Sequence, residues 1–371
     1  MNVRIPLSQP DITEAEIAAV CGVLRTPHLS QGPELAAFET ELATYHDVEH
    51  SVAVSSGTAG LHLALLTLDI GEGDEVILPS FAFAGVSNAV LQAGATPVLA
   101  EIDLQTLNLD PAAVERAIGP CTRAILVVHT FGVPAQLDAL VDLVHRHRLA
   151  LIEDACEAIG ATFDAQRVGS FGDLAILGFY PNKQMTTGEG GAVLARDAGH
   201  AARLRRLRNQ GRDASADWLD QIEPGYNYRL PELACALGRV QLRRIEPMLA
   251  QRRQAAERYD ALLEAICGLE RPPLALPRRE ISWFVYVVRL PEGVDRDRVH
   301  EQLAGQGIAT SRYFAPIHLQ PAWHTCGGTE RFALTESVAR RTLALPFFNR
   351  ITREQQEEVA AALRTAITCA V

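Results

Sequence analysis

The sequence predicts an α/β fold, with a mainly parallel sheet in a large domain followed by a smaller α+β domain. Between about residues 50 and 200, short apolar runs alternate with small-residue turns and helical stretches, a rhythm typical of a parallel sheet covered on both faces. Beyond residue 245 this alternation stops, and a different mixture of strand and helix patterns follows. The 371 residues and 48% hydrophobic content are enough for two packed units.

In the first half, strands and helical stretches come in turn. Strands are predicted at 51–55, 74–79, 96–102, 124–129 and 149–155. Helical stretches are predicted at 61–68, 83–94 and 156–161. Ligands of such sheets bind at the carboxyl ends of the strands, so residues just past each strand are candidates for a site.

In the second half, helices are predicted at 201–212 and 231–266, the longer one kinked or interrupted near Pro247, because proline removes a helical hydrogen bond. A proline-rich seam at 269–282 precedes a strand at 283–290. Helices are then predicted at 296–307 and 352–367. We therefore predict a large domain at 1–245, including an N-terminal segment, and a small domain at 246–371.

Composition excludes several classes of protein. The formal charge of −11 argues against a nucleic-acid-binding protein, which needs a basic face. No apolar run approaches the roughly 20 residues that span a bilayer, and the first residues lack a signal pattern, so we expect a cytoplasmic protein without a membrane partner. The seven cysteines are scattered without metal-ligand spacing, which predicts reduced thiols and no metal site.

One basic residue differs from all the others. Lys183, in the segment 178–191, is the only lysine among 34 lysine and arginine residues. Arginine replaces lysine as a charge, but a guanidinium cannot form an imine with a carbonyl, whereas a deprotonated lysine amine can. Lys183 follows an apolar strand-like run and precedes a glycine turn that would hold the amine in a pocket. It is a candidate for imine chemistry; the alternative is chance retention of a surface lysine.

Pyridoxal phosphate is a cofactor that binds a lysine as an imine. It also needs an acidic partner for its ring nitrogen, a site for its phosphate and a side chain against its ring, and each can be sought separately in the sequence. The turn at 55–60 lies between a strand and a helix, where the amides of Gly57 and Thr58 could bind a phosphate, although many such turns contain glycine. Phe83, at another strand end, could stack on the cofactor ring, or it could be a core aromatic.

Two acidic residues follow the strand at 149–155. Asp154 could pair with a pyridinium nitrogen, and its alternative is an N-cap for the next helix. Glu157 comes three residues later, one helical turn on, so both side chains could face the same site.

With these pieces in this order, the chain resembles the DegT/DnrJ/EryC1/StrS family, the pyridoxal-phosphate-dependent sugar aminotransferases of the aspartate-aminotransferase (type I) fold. The resemblance extends over nearly the whole chain. It is carried by LSQGPELAAFE, SSGTAGLHLAL, PSFAFAGVSNAVLQAGATPVLAEID, IEDACEAIGA, GSFGDLAILGFYPNKQMTTGEGGAVL, RNQGR, GYNYRLPELACALGRVQL and YFAPIHLQP.

The resemblance implies a role for each matching residue. Lys183 becomes the Schiff-base lysine and proton carrier, and Asp154 the partner of the pyridine nitrogen. The residues implied around the rest of the cofactor are Gly57, Thr58, Phe83, Glu157 and Asn182. The implied contacts with the neighbouring subunit's cofactor phosphate come from Asn227 and Arg229, which implies a homodimer with shared active sites.

Two positions distinguish this chain from its relatives. Gly178 stands where family members often have a phosphate-binding serine, so that contact is missing or comes from Asn182 or a backbone amide. Glu157 stands where many relatives have glutamine or histidine, and it resembles enzymes that aminate a 4-keto nucleotide sugar. The resemblance therefore implies amino transfer from L-glutamate to a keto nucleotide sugar, leaning to a 4-keto-6-deoxyhexose.

Substrate residues are less well marked. Tyr313 and His318 could line the sugar site or serve packing. The arginines that could bind a nucleotide diphosphate are Arg208, Arg212, Arg229 and Arg312.

Several other functions stay open. A 3-keto sugar or a keto-cyclitol could be the acceptor. The sugar dehydratases of the family have histidine in place of the lysine, so Lys183 argues against them. A binding or regulatory protein without turnover is a further alternative, opposed by the full set of catalytic residues.

Overall fold

The computed structural model of the chain describes residues 3–213, 217, 220–325 and 332–370. Its strands are β1 (His50–Val54), β2 (Glu75–Pro79), β3 (Thr96–Ala100), β4 (Thr122–Val128), β5 (Ala150–Asp154), β6 (Thr162–Phe163), β7 (Gln166–Arg167), β8 (Leu174–Gly178), β9 (Gly191–Ala195), β10 (Arg279–Glu280), β11 (Tyr286–Arg289) and β12 (Thr342–Leu345). The five strands predicted between residues 50 and 155 all form.

The α-helices surround and follow these strands. They are α1 (Glu14–Leu24), α2 (Pro33–His46), α3 (Gly57–Thr67), α4 (Gly85–Gln92), α5 (Pro111–Ala117), α6 (Leu137–His147), α7 (Ala198–Arg208), α8 (Glu232–Arg243), α9 (Ile245–Leu263), α10 (Arg296–Gly305), α11 (Pro321–Thr325), α12 (Ala333–Arg341) and α13 (Arg353–Cys369).

The large sheet has the order β1-β9-β8-β5-β4-β2-β3. Only β9 runs against the other six strands, because it pairs antiparallel with both β1 and β8. The strands are buried along most of their length, as expected of a sheet covered by helices on both faces. This mainly parallel sheet confirms the predicted fold class, and it brings the carboxyl ends of β1, β5 and β8 to one edge.

The C-terminal part of the chain is built differently. Strands β11 and β12 form an antiparallel pair, and α10 and α13 pack beside it. A hydrophobic cluster made mainly of residues 255–370 fills this part. The division into domains at residue 245 stays a prediction, and it falls at the first residue of α9.

The predicted long helix is interrupted, but earlier than expected. It breaks at Arg244 into α8 and α9. Pro247 is the third residue of α9, where a backbone N–H would have no partner within the helix, so proline costs nothing there.

The helix predicted at 156–161 is wrong. These residues form turns instead. The amide of Cys156 donates to the Asp154 carboxylate at 3.0 Å, and Gly160 has a φ of +81°. A local side-chain bond and a left-handed glycine both compete with a helix over so short a segment.

No helix in the described ranges is long and apolar enough to cross a membrane. The same residues contain no group of three or more His, Cys, Asp or Glu side chains that could hold a metal ion.

Candidate active site

A cavity of about 460 Å³ opens at the carboxyl edge of the large sheet. It lies beside the start of α3 and the ends of β5 and β8. Of the residues predicted for the site from the sequence, the structure brings eight to its wall, beside Gly178: Gly57, Thr58, Phe83, Asp154, Glu157, Asn182, Lys183 and Tyr313. Residues more than 250 positions apart in the chain therefore share one site.

Lys183 lies in the loop between β8 and β9. Its amide donates to the carbonyl of Tyr180 at 2.9 Å, which makes a tight turn. The side chain is only 15% exposed, and Nζ lies 3.4 Å from Glu157 Oε1. Nζ also lies 4.0 Å from the centre of the Phe284 ring. The amine is therefore enclosed in the cavity and is not a surface charge.

Glu157 is buried beside this amine. Burial raises the pKa of its carboxyl group, and the nearby Lys183 amine opposes the rise. Its second oxygen accepts a hydrogen bond from the Phe131 amide at 2.9 Å. The Gln184 side chain donates to the backbone carbonyl of Glu157 at 2.5 Å. Glu157 is thus fixed at both its side chain and its backbone.

Asp154 is the last residue of β5 and is buried at the cavity wall. Because no helix follows it, the N-cap alternative does not apply. The Cys156 amide orients one carboxylate oxygen. A carboxylate at the end of a central parallel strand is placed to pair with a protonated ring nitrogen.

The start of α3 forms another wall. Ser56 caps the helix by accepting from the Ala59 amide at 3.1 Å, and the first turn contains no acidic residue. First-turn amides have no partner within a helix and carry a partial positive charge, so Gly57 and Thr58 can bind a phosphate. Phe83 lines the same cavity with 67% of its surface exposed, which excludes a core role.

Gly178 packs closely against the side chain of Cys156. A Cβ placed on Gly178 would lie 3.0 Å from both Cβ and Sγ of Cys156. A Cβ on Gly57 would lie 2.8 Å from the same sulfur. The Cys156 side chain therefore occupies the space in which a serine side chain at 178 would begin. Asn182, suggested as a substitute for that serine, instead donates to the Tyr313 hydroxyl at 3.5 Å.

The residues predicted to reach a neighbouring subunit lie elsewhere. Asn227 is exposed, and it and Arg229 are not among the described residues that line the cavity. The Arg229 guanidinium donates to the Asn209 side chain at 2.9 Å. Arg212 is also absent from the described cavity wall.

Three further candidates lie outside this cavity. Arg208 is buried in the fold, where it pairs with Glu39. Arg312 pairs with Asp297 at 3.3 Å. His318 is buried away from the described cavity wall. Lys183 is consequently the only cation among the described residues that line the cavity.

Sequence reasoning missed several residues of the wall, which are Cys156, Tyr180, Glu189, Phe284 and Phe314. Tyr180 and Cys156 lie within motifs that were quoted, so proximity to Lys183 and Asp154 could have indicated them. Phe314 directly follows Tyr313 in a quoted motif and could have been indicated in the same way, whereas no local pattern marks Phe284.

A comparison with family models decides the class of protein. The model of the DegT/DnrJ/EryC1/StrS aminotransferase family matches residues 10–364. The chain belongs to this family. It is a pyridoxal-phosphate-dependent aminotransferase.

Individual relatives match the sequence or the structure of this chain over nearly their full length. The GDP-perosamine synthase of Caulobacter vibrioides is 37% identical over 364 residues, covering 97% of each chain. The structure of S. venezuelae DesV, solved with a ketimine intermediate, is 37% identical with a TM-score of 0.91 and 98% of each chain covered. The pyridoxal-phosphate form of the sugar aminotransferase Spr1654 from Streptococcus pneumoniae is 26% identical, with a TM-score of 0.94 and 99% of each chain covered.

The side chains of the cavity fit the cofactor. An enclosed amine, a buried carboxylate at a strand end, a helix N-terminus and an exposed aromatic ring face one space. These are the groups that a pyridine aldehyde with a phosphate needs. Asn182 Oδ1, also at this wall, is buried without a hydrogen-bond partner among the described residues.

Proposed function

We propose that this aminotransferase moves the amino group of L-glutamate to the keto carbon of a nucleotide-linked sugar, with a 4-keto-6-deoxyhexose as the favoured acceptor. The observation that carries the proposal is that the Lys183 amine lies 3.4 Å from Glu157 in a cavity that Asp154 also lines. GDP-perosamine synthase and SpsC, named a spore coat polysaccharide biosynthesis protein, support a sugar acceptor by their 37% and 35% identity.

Each wall of the cavity would hold one part of the cofactor. Lys183 would hold it covalently, Asp154 would pair with the ring nitrogen, and Phe83 would cover the ring. Gly57 and Thr58 would hold the phosphate at the start of α3. When bound, pyridoxal phosphate supplies an electron-withdrawing ring that makes the proton on a carbon beside the attached nitrogen acidic.

The chain's own groups then move the protons. The Lys183 amine, once the donor has displaced it, would take the proton from the α carbon of glutamate and give it to the cofactor carbon that carries the nitrogen. Water would then release 2-oxoglutarate, the amino group would stay on the cofactor, and the keto sugar would take it by the reverse sequence. The Glu157 carboxylate, fixed by the Phe131 amide, orients the amine. Two half-reactions that share one site predict ping-pong kinetics.

We also propose that the active enzyme is a homodimer with shared sites. The described cavity wall contains no arginine, although both glutamate and a nucleotide diphosphate carry negative charge that arginine binds well. Exposed Asn227 and partly exposed Arg229 could supply contacts to a neighbouring cavity. The exposed rings of Phe83 and Tyr180 are apolar surface that a second copy would cover.

The test uses the purified enzyme, glutamate and a panel of 4-keto and 3-keto nucleotide sugars and keto-cyclitols, read by mass spectrometry. We expect a 4-keto nucleotide sugar to gain an amino group and 2-oxoglutarate to form in equal amount. Lys183→Ala should abolish both products, since alanine has no amine with which to form an imine.

The control separates lost chemistry from lost folding. Lys183→Ala should keep a melting temperature near that of the wild-type apo protein, because both contacts of the amine, Glu157 at 3.4 Å and the Phe284 ring at 4.0 Å, lie at the cavity wall and not in the packed core. Turnover by Lys183→Ala would refute the mechanism, and a panel in which only a keto-cyclitol reacts would refute the sugar acceptor.

A further inference from the structure

Arg252 is a buried cation that the reaction described above does not use. It lies on α9, is 2% exposed, and comes 69 residues after Lys183 in the chain. Burying a guanidinium is costly unless its donors are satisfied, so its retention calls for a reason. Its neighbour Arg253 on the same helix is exposed.

Within the described ranges, the hydrogen bonds of Arg252 go to three backbone carbonyls. One terminal nitrogen donates to Trp283 and Phe284, each at 3.1 Å. The other donates to the carbonyl of Lys183 at 3.3 Å. Its Nε has no partner within the described ranges. One guanidinium therefore ties α9 to two separate segments of the active site.

Two of these three carbonyls, those of Lys183 and Phe284, belong to residues whose side chains meet. Lys183 Nζ lies 4.0 Å from the centre of the Phe284 ring. The Lys183 backbone is held at its amide by the Tyr180 carbonyl and at its own carbonyl by Arg252. The Arg252 side chain thus contacts the backbone at both positions from which the amine and the ring extend.

The environment makes this arrangement sensitive to substitution. Burial lowers the pKa of the Arg252 guanidinium to about 10, and the charge of Asp11 opposes the change. Its guanidinium also lies 5.6 Å from the centre of the Phe347 ring. A protonated guanidinium is still expected at neutral pH, and it has five donors in one plane, which lysine cannot reproduce.

We propose that Arg252 is a positioning residue for the reactive lysine, holding the backbone of Lys183 and Phe284 so that the amine meets the cofactor carbonyl in a reactive geometry. The proposal rests on the proposed role of Lys183. A displacement of about 1 Å at a reacting group can slow a reaction roughly a hundredfold. Arg252 makes no hydrogen bond to the described residues that are proposed to hold the ring and the phosphate. Covalent attachment of the cofactor should therefore depend on Arg252 more than its noncovalent binding does.

The test compares two ligands on apo protein. Pyridoxine phosphate, which has no aldehyde, measures noncovalent binding by quenching of tryptophan fluorescence. Pyridoxal phosphate measures covalent attachment, by borohydride trapping at timed intervals and mass spectrometry. Because the chain has one lysine, side-chain trapping reports on Lys183 alone.

For Arg252→Met, we expect the attachment rate to fall about tenfold or more, with pyridoxine phosphate affinity within about threefold of wild type. Arg252→Lys retains the cation with fewer donors and should be intermediate. Arg253→Met removes an exposed cation from the same helix and should behave as wild type.

Three results decide the matter. Wild-type attachment rates in both Arg252 variants, with a lowered melting temperature, would show a purely structural role and overturn the proposal. Equal weakening of both ligands would also overturn it, because the whole cavity would then have changed. If Arg252→Met does not fold, Arg252→Lys decides alone. A wild-type protein that binds both ligands but forms no trapped adduct contradicts the proposed function itself.

Discussion

The Cys156 side chain limits which residues fit at position 178. The thiol lies against the backbone of Gly178 and of Gly57, so the end of β8 and the start of α3 approach each other around it. Burial raises the pKa of this thiol, which keeps it protonated and uncharged beside the proposed phosphate site. The Cys156 side chain therefore fills the space in which a serine side chain at position 178 would begin.

Gly178→Ser should destabilise the apo protein by about 1–3 kcal/mol, because its Cβ would lie 3.0 Å from the Cys156 side chain. In the double variant with Cys156→Ala, the part of that loss that comes from Sγ should disappear, while the contact with the remaining Cβ persists. Urea unfolding of the two single variants, the double variant and wild type gives the coupling energy. Additivity within about 0.5 kcal/mol would show that the two positions do not interact.

Among the elements, α2 ends in a buried titratable residue. His46 is 1% exposed, and Nδ1 lies 3.2 Å from the Leu42 carbonyl one turn earlier. Burial lowers its pKa from 6.5 to about 4, the Leu42 carbonyl and Glu153 oppose the change, and Arg167 adds to it. In the window between these values the unfolded chain binds the extra proton, so stability rises with pH there.

His46 should therefore make the apo protein lose about 3 kcal/mol of stability as the pH falls from 6.5 to about 4. Unfolding by urea at half-unit pH steps measures this loss. His46→Gln should flatten the pH dependence over that window. His145→Gln, an exposed histidine on α6, should leave it as in wild type, and an unchanged slope in His46→Gln would contradict the prediction.

Sequence reasoning worked best where an element is repeated and local. Five of the six parallel strands alternate with helices and were predicted from that pattern, whereas β8, β9 and the order of strands in the sheet were not. Lys183 and Asp154 were chosen for their chemistry near strand ends, and the structure places both at the cavity wall. The segment 156–161 was wrongly predicted as a helix. The hydrogen bond from the Cys156 amide to Asp154 and the left-handed Gly160 each involve one or two residues, and a hydrophobic pattern does not reveal them. Phe284 and Arg252 could not be predicted, because their roles depend on how distant elements pack.

On the scale of the whole molecule, the described residues of one chain give the cavity wall more acidic than basic side chains. The described wall includes the carboxylates Asp154, Glu157 and Glu189 against one lysine. Such a wall attracts an anionic substrate poorly, so cations from another copy would complete it. A shared site makes activity a property of the pair of subunits rather than of each chain.

Hybrid dimers test this directly. Lys183→Ala and Asn227→Ala chains should each be nearly inactive, but mixed after mild dissociation they should recover about a quarter of wild-type activity, since half the dimers then contain one intact site. Gln221→Ala, an exposed amide in the same segment as Asn227, should be active without mixing. Activity equal to the mean of the two parents would place both residues in the same subunit's site.

The enclosure of Lys183 also has a practical consequence for handling the protein. Outside the cavity the chain offers no ε-amine at all. Amine-directed crosslinkers, fluorophores and coupling resins can therefore react only at the N-terminus or at the active site itself. Labelling of the side chain would report occupancy of the cavity, and immobilisation through lysine would inactivate the enzyme.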